Sequence, residues 1–548
     1  MPSLSETHDV FNQTPVFADV NLIACNRPLL DALKANGDPA DKTLVAFGQA
    51  WGSGERLEYG RLANENPPKL RTHDSRGYRI DAVEFHPAYH ALMRASMADG
   101  LHASTWDDTG TNDPGRRGHM ARAARLYTTS QVESGHVCPM TMTHASVGAL
   151  AASPGRLDEW LPRILSREYD PRFIPFWEKS SVTLGMGMTE KQGGSDVRAN
   201  TTQAKPLARD EYALTGHKWF MSAPMCDAFL VLAQAPGGLT CFLVPRFRPD
   251  GRVNALHLQR LKDKLGNRSN ASSEVEFERA FAWRIGEEGR GVRTIITMVQ
   301  LTRLDCAVSS AGLVRMGLAL AYHHAQHRSA FQRRLIEQPA MRTVLADLAL
   351  ESEAMTALAL RLARSFDRAG TDEQEATFAR LVTPAAKFGI CKAAPRLLYE
   401  AMECMGGNGY VEESPLPRLY REAPVNAIWE GSGNVIALDV LRAENREPEA
   451  AASVLQSLMA DVEGLPGATD AARDTVLSLQ SGEAEARARF IADRLYTLFA
   501  TAALRRFAPP EIAEAYALTR LNSPARMIGA NDLGFAAKPL LDRVFVPI

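Results

Sequence analysis

Met186-Gly187-Met188-Thr189-Glu190-Lys191-Gln192-Gly193-Gly194-Ser195-Asp196 stands where the chain stops reading as helix and starts reading as sheet. Paired glycines let backbone N–H groups approach a ligand closely. Thr189 and Ser195 add hydroxyls that can donate to carbonyl or phosphate oxygens. Taken alone, the same stretch also reads as a polar turn with a Gly-Gly kink.

Working outward, residues 1–180 read as mostly helical, with candidates at 31–34, 89–98 and 117–134 and a polar, glycine-rich loop at 107–115. From 181 to 285 the texture is that of a β-domain: short apolar runs at 229–233 and 240–244, and polar–apolar alternation at 273–277. Beyond 286 helical spacing returns in Leu301, Leu304, Val308 and Ala311, and again in Met355, Leu358, Leu362 and Phe366. Residues 341–369 contain neither Gly nor Pro, which suits one long helix. A loose connection at 445–448 is expected to lead into an extra helical region. The expected domains are therefore 1–180 (helical), 181–285 (β), 286–445 (helical bundle) and 446–548 (extra helical region).

Composition narrows the function classes. At 548 residues the chain exceeds a single core. Apolar residues make up 45% and charged residues 23%, as in an ordinary folded protein, and a net charge of −2 gives no electrostatic reason to expect a nucleic-acid or membrane-surface protein. Seven dispersed cysteines without a C-x-x-C pair read as reduced thiols in a cytosolic protein. No secretory signal and no apolar stretch long enough to cross a bilayer are read, so the cytoplasm is the expected compartment. His323, His324 and His327 cluster on one helix but lack a third acidic or Cys ligand, so no metal site is expected.

Two further stretches carry chemistry. In Trp219-Phe220-Met221-Ser222, aromatics precede a hydroxyl at what reads as the start of a strand, and could pack a planar ring and bond its edge; aromatics of a strand core read the same way. In Ile428-Trp429-Glu430-Gly431-Ser432-Gly433-Asn434, a carboxylate sits between an aromatic and a flexible loop that opens an apolar helix. Such amides favour an anion, although Glu430 could equally be a first-turn acid with Ser432 or Asn434 as cap.

In this order and spacing the three stretches resemble the acyl-CoA dehydrogenase family. Asp263–Arg268 with Val275-Glu276-Phe277, Arg328-Ser329-Ala330-Phe331 with Gln338, and Glu403–Tyr410 add to the likeness over roughly 90–445. Phe11-Asn12-Gln13, the run from Arg61 to Pro68, the run from Leu261 to Ala271 and the extra C-terminal region are similar to the AidB group of alkylation-response flavoproteins, across essentially the whole chain.

The resemblance implies an N-terminal helical domain, a middle β-barrel and a C-terminal four-helix bundle, plus the extra region. It implies FAD, held by Met186, Gly187, Met188, Thr189, Gly194, Ser195, Phe220, Met221, Ser222, Ile428, Trp429, Gly431, Ser432, Gly433 and Asn434, with Arg328 and Gln338 reaching a neighbouring subunit's FAD in a homotetramer. Phe220 stands where many members carry Trp, which keeps ring packing and loses an indole N–H. Glu430 matches the catalytic base; some relatives carry the base near what here reads Thr302-Arg303, and Thr302 cannot serve.

The group also implies a role in the response to DNA alkylation, weak activity on isovaleryl-CoA or deactivation of alkylating agents, and binding of double-stranded DNA through about 450–548. That region holds ten Lys and Arg against eleven Asp and Glu. DNA affinity would need a segregated face, with Arg487, Arg489, Arg494, Arg505 and Arg506 as the candidates. An amphipathic extension serving assembly, an ordinary short-branched acyl-CoA dehydrogenase, and a non-catalytic DNA-shielding flavoprotein are the competing readings.

Overall fold

A computed structural model describes residues 7–107 and 118–545; most of the expected loop at 107–115 lies outside the described residues. The N-terminal part is helical: α1 (Arg27–Ala35), α2 (Lys42–Trp51), α3 (Gly54–Glu65), α4 (Pro87–Ala98), α5 (His119–Val132), α6 (Val137–Leu150) and α7 (Pro154–Ile164). Their starts follow from local chemistry. Asn26, Asp41 and Ser53 accept from the backbone N–H of Leu29, Leu44 and Arg56, and α1, α4 and α7 carry Pro in the first turn. Within this mostly helical part an antiparallel hairpin, β1 (Lys69–His73) and β2 (Arg79–Glu84), intervenes. Asp74 closes its turn by accepting from the amides of Arg76 and Tyr78. The hairpin was hidden because its residues are mostly exposed or half-buried and its one buried side chain, Asp81, is charged, so no apolar alternation announces it.

The middle part is a closed barrel of β3 (Leu184–Gly187), β4 (Gln203–Ala208), β5 (Glu211–Ser222), β6 (Ala228–Ala235), β7 (Gly238–Pro245), β8 (Leu256–Leu261) and β9 (Ser272–Ile285). The sheet runs β3-β6-β4-β5-β9-β7, and the β6–β7 hairpin closes it from Ala228↔Pro245 to Ala235↔Gly238. Closure leaves few free edges and explains the uninterrupted apolar runs of β6 and β7. Trp219 to Ser222 end β5 rather than begin a strand, because pairing with β9 already starts at Glu211↔Trp283.

Three long helices, α8 (Gly291–His327), α9 (Pro339–Arg368) and α10 (Glu373–Cys404), follow, with a two-residue-strand hairpin, β10 (Ser329–Ala330) and β11 (Arg333–Arg334), between the first two. Then come α11 (Gly407–Tyr410), α12 (Leu416–Asn426) and α13 (Gly433–Arg446). α8 belongs to both cores: Met298 and Leu301 pack with the barrel, Leu304 onward with the bundle. It is also long and apolar enough to cross a membrane, with a mean hydropathy of 1.4 over a window that is wholly buried in the protein. That corrects the expectation that no such stretch exists; a helix enclosed on all sides is apolar all round.

The C-terminal region adds α14 (Pro448–Val462), α15 (Ala468–Leu479), α16 (Ala488–Phe507), α17 (Pro510–Ala517) and α18 (Ala537–Asp542). The expected loose connection is a single residue, Glu447, paired with Arg380, because α13 continues to Arg446 and Pro448 opens the next helix. The region is built into the bundle. Arg520 bridges Asp347 and Glu351 of α9 at 2.5 and 2.6 Å, and Arg543 reaches Glu353 at 2.6 Å and Asp31 at 2.9 Å. Tyr496 lies flat on Gly389, where a Cβ would stand 2.0 Å from its ring.

Candidate active site

The loop between α12 and α13 is bent by two residues in the left-handed region, Glu430 at φ 57° and Gly431 at φ 102°. Cations from the bundle hold it. Lys387 donates to the carbonyl oxygens of Trp429 and Gly431 at 2.7 and 2.5 Å, and Arg303 Nε donates to the Glu430 carbonyl at 3.0 Å. Arg303 is itself fixed by Asp439 at 2.6 Å, and Trp429 Nε1 donates to Asn426 at 2.9 Å. The bend returns the Glu430 side chain to α8, where Thr302 Oγ1 lies 2.7 Å from Oε2. Burial pushes the Glu430 carboxyl above its ordinary range, while the Thr302 hydroxyl and the charges of Lys387 and Arg303 pull it back. A carboxylate poised in this way can take a proton from a weak carbon acid.

The barrel supplies the opposite wall. Met186 and Gly187 end β3, and a Cβ on Gly187 would meet Met221 at 3.3 Å, so these stretches share one surface. The Thr189 carbonyl accepts from the Trp219 amide at 2.8 Å, and a Cβ on Gly194 would stand 2.3 Å from Thr189 Oγ1, which folds the Gly-Gly turn onto Met188 and Thr189. Ser195 sits on the exposed rim. Phe220 is 51% exposed, with Lys262 Nζ 4.6 Å from its ring centroid. Glu190 staples the turn from within: Oε1 accepts from buried Lys218 at 2.8 Å, and Oε2 accepts from the Thr201 amide at 2.6 Å.

Barrel wall and carboxylate meet around Cys138 of α6, whose surroundings include Lys264, Ser222, Asn270 and Glu430. Burial pushes this thiol up to about 12. Asn270 is only 1% exposed, yet neither its Nδ2 nor its Oδ1 has a partner. An unpaired buried amide beside Ser222 fits a site completed by a polar, planar group. Lys264 donates to the Asn270 carbonyl at 2.7 Å, and burial lowers its ammonium to about 8. The sequence reading passed over Cys138, Asn270, Lys264, Arg303 and Lys387. The one legible signal was Lys387, a charge inside the apolar run of α10.

A cavity of about 670 Å³ opens between the β6–β7 hairpin and the start of α8, lined by Arg198, Arg290, Arg293 and Arg446 among others. Arg293 precedes Thr302 by nine residues on α8, about 14 Å along the axis. No motif pointed to it, because its arginines come from three separate stretches, Arg198, Arg290 with Arg293, and Arg446.

Other expected site residues fall elsewhere. Arg328 and Gln338 flank the β10–β11 hairpin, where Arg328 Nη1 donates to the Asn12 carbonyl at 2.6 Å and Gln338 Nε2 to that of Ala330 at 3.0 Å. Arg328 follows α8, about 39 Å along its axis from Thr302, so it cannot reach the Glu430 loop of its own chain. His323 and His324 hold the N-terminal arm through the Pro15 carbonyl and Thr14 Oγ1, and among the described residues no group of three or more candidate ligands could hold a metal. The five arginines do not form one face: Arg487 and Arg494 flank Phe490, Arg505 donates to the carbonyls of Asp461 and Glu463 at the end of α14, Arg506 lies near Arg364, and Arg489 turns toward Asn434.

Comparison with known proteins accounts for nearly the whole chain. Residues 12–171 match the adaptive response protein AidB N-terminal domain, 185–280 the acyl-CoA dehydrogenase middle domain and 289–444 the acyl-CoA dehydrogenase C-terminal domain. The putative acyl-CoA dehydrogenase AidB of Escherichia coli is 46% identical over 94% of this chain and 95% of its own. Acyl-CoA dehydrogenase family member 11 of Caenorhabditis elegans is 34% identical over 70% of this chain and 63% of its own. The crystal structure of C. elegans ACDH-11 in complex with C11-CoA superposes with a TM-score of 0.82 at 27% identity, covering 96% of both chains. An FAD complex of a Bacillus anthracis acyl-CoA dehydrogenase, 16% identical over 84% of this chain and 81% of its own, shares the fold with a TM-score of 0.64.

Proposed function

The chain belongs to the acyl-CoA dehydrogenase superfamily, with an AidB-type N-terminal domain, and from that premise we propose that it is an FAD-dependent oxidoreductase of the alkylation-response group. In this reading Glu430 is the base, and the flavin lies between the Met186–Ser195 and Phe220–Ser222 stretches of the barrel and the 428–434 loop. The carrying observation is the Glu430 carboxyl, raised by burial, held at 2.7 Å by Thr302 and gathered with Ser222 and Asn270 around Cys138.

When bound, FAD supplies the acceptor for a hydride. The chain's own residues do the rest. Lys387 and Arg303 hold the loop so that Glu430 can take the proton α to a thioester carbonyl, and the enclosed site keeps the carboxylate basic. The arginine-lined cavity suits the phosphates of a CoA ester, and its distance of about 14 Å from Thr302 along α8 matches the reach of a pantetheine arm. The complex of C. elegans ACDH-11 with C11-CoA supports this substrate class.

The finer role rests on the AidB likeness: a cytoplasmic homotetramer, in which Arg328 and Gln338 serve a neighbouring subunit's flavin, that associates with double-stranded DNA and acts on small acyl-CoA esters or alkylating agents. The span of α8 supports action in trans. Anaerobic mixing with isovaleryl-CoA is expected to bleach the flavin, and duplex DNA is expected to be retained at low salt and released steeply as salt rises. Bleaching without DNA retention would leave an ordinary short-branched acyl-CoA dehydrogenase; the absence of both bleaching and DNA retention would overturn the proposal.

A further inference from the structure

The head of α13 collects positive charge from two directions. Lys392 of α10 and Arg489 of α16 stand over the same ring, Phe388, at 5.5 and 5.8 Å from its centroid. Arg489 Nη1 donates to Asn434 Oδ1 at 3.3 Å, and a Cβ on Gly433 would lie 3.2 Å from Lys392 Nζ. Among the described residues neither cation forms an ion pair with a carboxylate, and burial together with Arg489 disfavours the charge on Lys392. Both side chains reach solvent, and an anion set between them offsets the repulsion of two like charges. The spot is prepared for one: the 14-residue helix α13 opens there with free amides, and Ser432 makes no capping bond with its side chain.

We propose that Arg489, with Lys392, binds the pyrophosphate of FAD, so that the C-terminal helical region completes the cofactor site. The proposal rests on the placement of FAD given above and deepens it. Arg489 is among the DNA candidates on charge alone, yet among the described residues its one side-chain hydrogen bond is to a residue of the flavin set. It also gives α16 a task at the flavin, since the matched dehydrogenase domain ends at 444, before α16 begins.

The test follows FAD release from the purified full-length holoprotein by flavin fluorescence after dilution. Arg489→Ala is expected to weaken retention about tenfold or more, the size of a lost charge-assisted bond, with Arg489→Lys recovering part of it. Arg487→Ala, whose guanidinium lies 4.8 Å from the Phe490 ring and away from Asn434, is expected to match wild type. Equal retention in Arg489→Ala and wild type would overturn the proposal, as would unchanged FAD retention accompanied by lost binding of duplex DNA. Wild-type protein that holds no FAD would instead sink the flavin-site reading on which the proposal depends.

Discussion

Thr302 of α8 and Glu430 of the loop before α13, 128 residues apart, meet at 2.7 Å from Oγ1 to Oε2. The same hydroxyl lies 3.0 Å from the Val299 carbonyl. It has one proton to give. With Glu430 ionised it donates to the carboxylate; with Glu430 protonated it can turn to Val299 and accept from the acid. Thr302 is thus placed to stabilise the Glu430 carboxyl in either state.

Thr302→Val removes the donor while keeping the shape. Because that bond lowers the Glu430 pKa against the rise caused by burial, its loss raises it further. The acid limb of the pH profile for flavin reduction by isovaleryl-CoA should move to higher pH. An unmoved limb would separate Thr302 from the titrating group.

Glu430→Gln retains the loop, which is held through backbone carbonyls and not through the carboxylate. FAD content should therefore equal wild type while stopped-flow bleaching slows by about 10²-fold or more. Bleaching at the wild-type rate would show that another group takes the proton.

Glu190→Gln leaves Lys218 without its counter-charge at a site where both side chains are wholly buried. Burial alone would raise the Glu190 carboxyl, but donors led by Lys218 hold it well below the usual range, and burial lowers Lys218 to about 8. Breaking such a pair costs about 3–5 kcal/mol. A lower melting temperature with early flavin loss is expected, because Glu190 also anchors the Thr201 amide beside the Gly-Gly turn. A melt like that of wild type would count against the staple.

Gly389→Ala tests whether the C-terminal region is part of the bundle. The new methyl would meet the Tyr496 ring at 2.0 Å, and overpacking of this kind costs about 1–3 kcal/mol. Chemical denaturation should show one destabilised transition. A separate early transition confined to residues beyond 446 would mean that the region is an independent unit.

Acid should destabilise the fold through buried histidines. Burial holds His102 down to about 4 and His144 well below its ordinary value. Groups whose native pKa is depressed below the unfolded value of about 6.5 bind fewer protons folded than unfolded, so their stability is full above that pH and is lost as pH falls toward 4. His102→Gln, which can still donate to the Ser166 carbonyl, should flatten the stability–pH curve in that window. An unaltered slope would exclude His102 as a contributor.

The order helices, strands, helices was legible because periodicity is local, and so were the stretches around Thr189, Phe220 and Glu430, whose glycines, aromatics and acid stand side by side. The β1–β2 hairpin was not legible, since its exposed faces carry no apolar alternation. Nor was the length of α13, where Glu447 alone breaks the helix. Lys387 was legible only as a charge inside an apolar run; Cys138 and Asn270 gave no warning of their place at the site, because each is an ordinary residue of a helix, or of the segment leading into β9, until folding brings it there.

Family, domain order and the place of the candidate acid were therefore determined by the sequence, being properties of short contiguous stretches. What tertiary structure alone decided was the company those stretches keep. Thr302 faces Glu430, Arg489 leaves the other arginines for Asn434, and four scattered arginines line one cavity. These depend on where α8, α10, α13 and α16 cross, and crossings are set by packing between residues far apart in the chain, which no local pattern encodes.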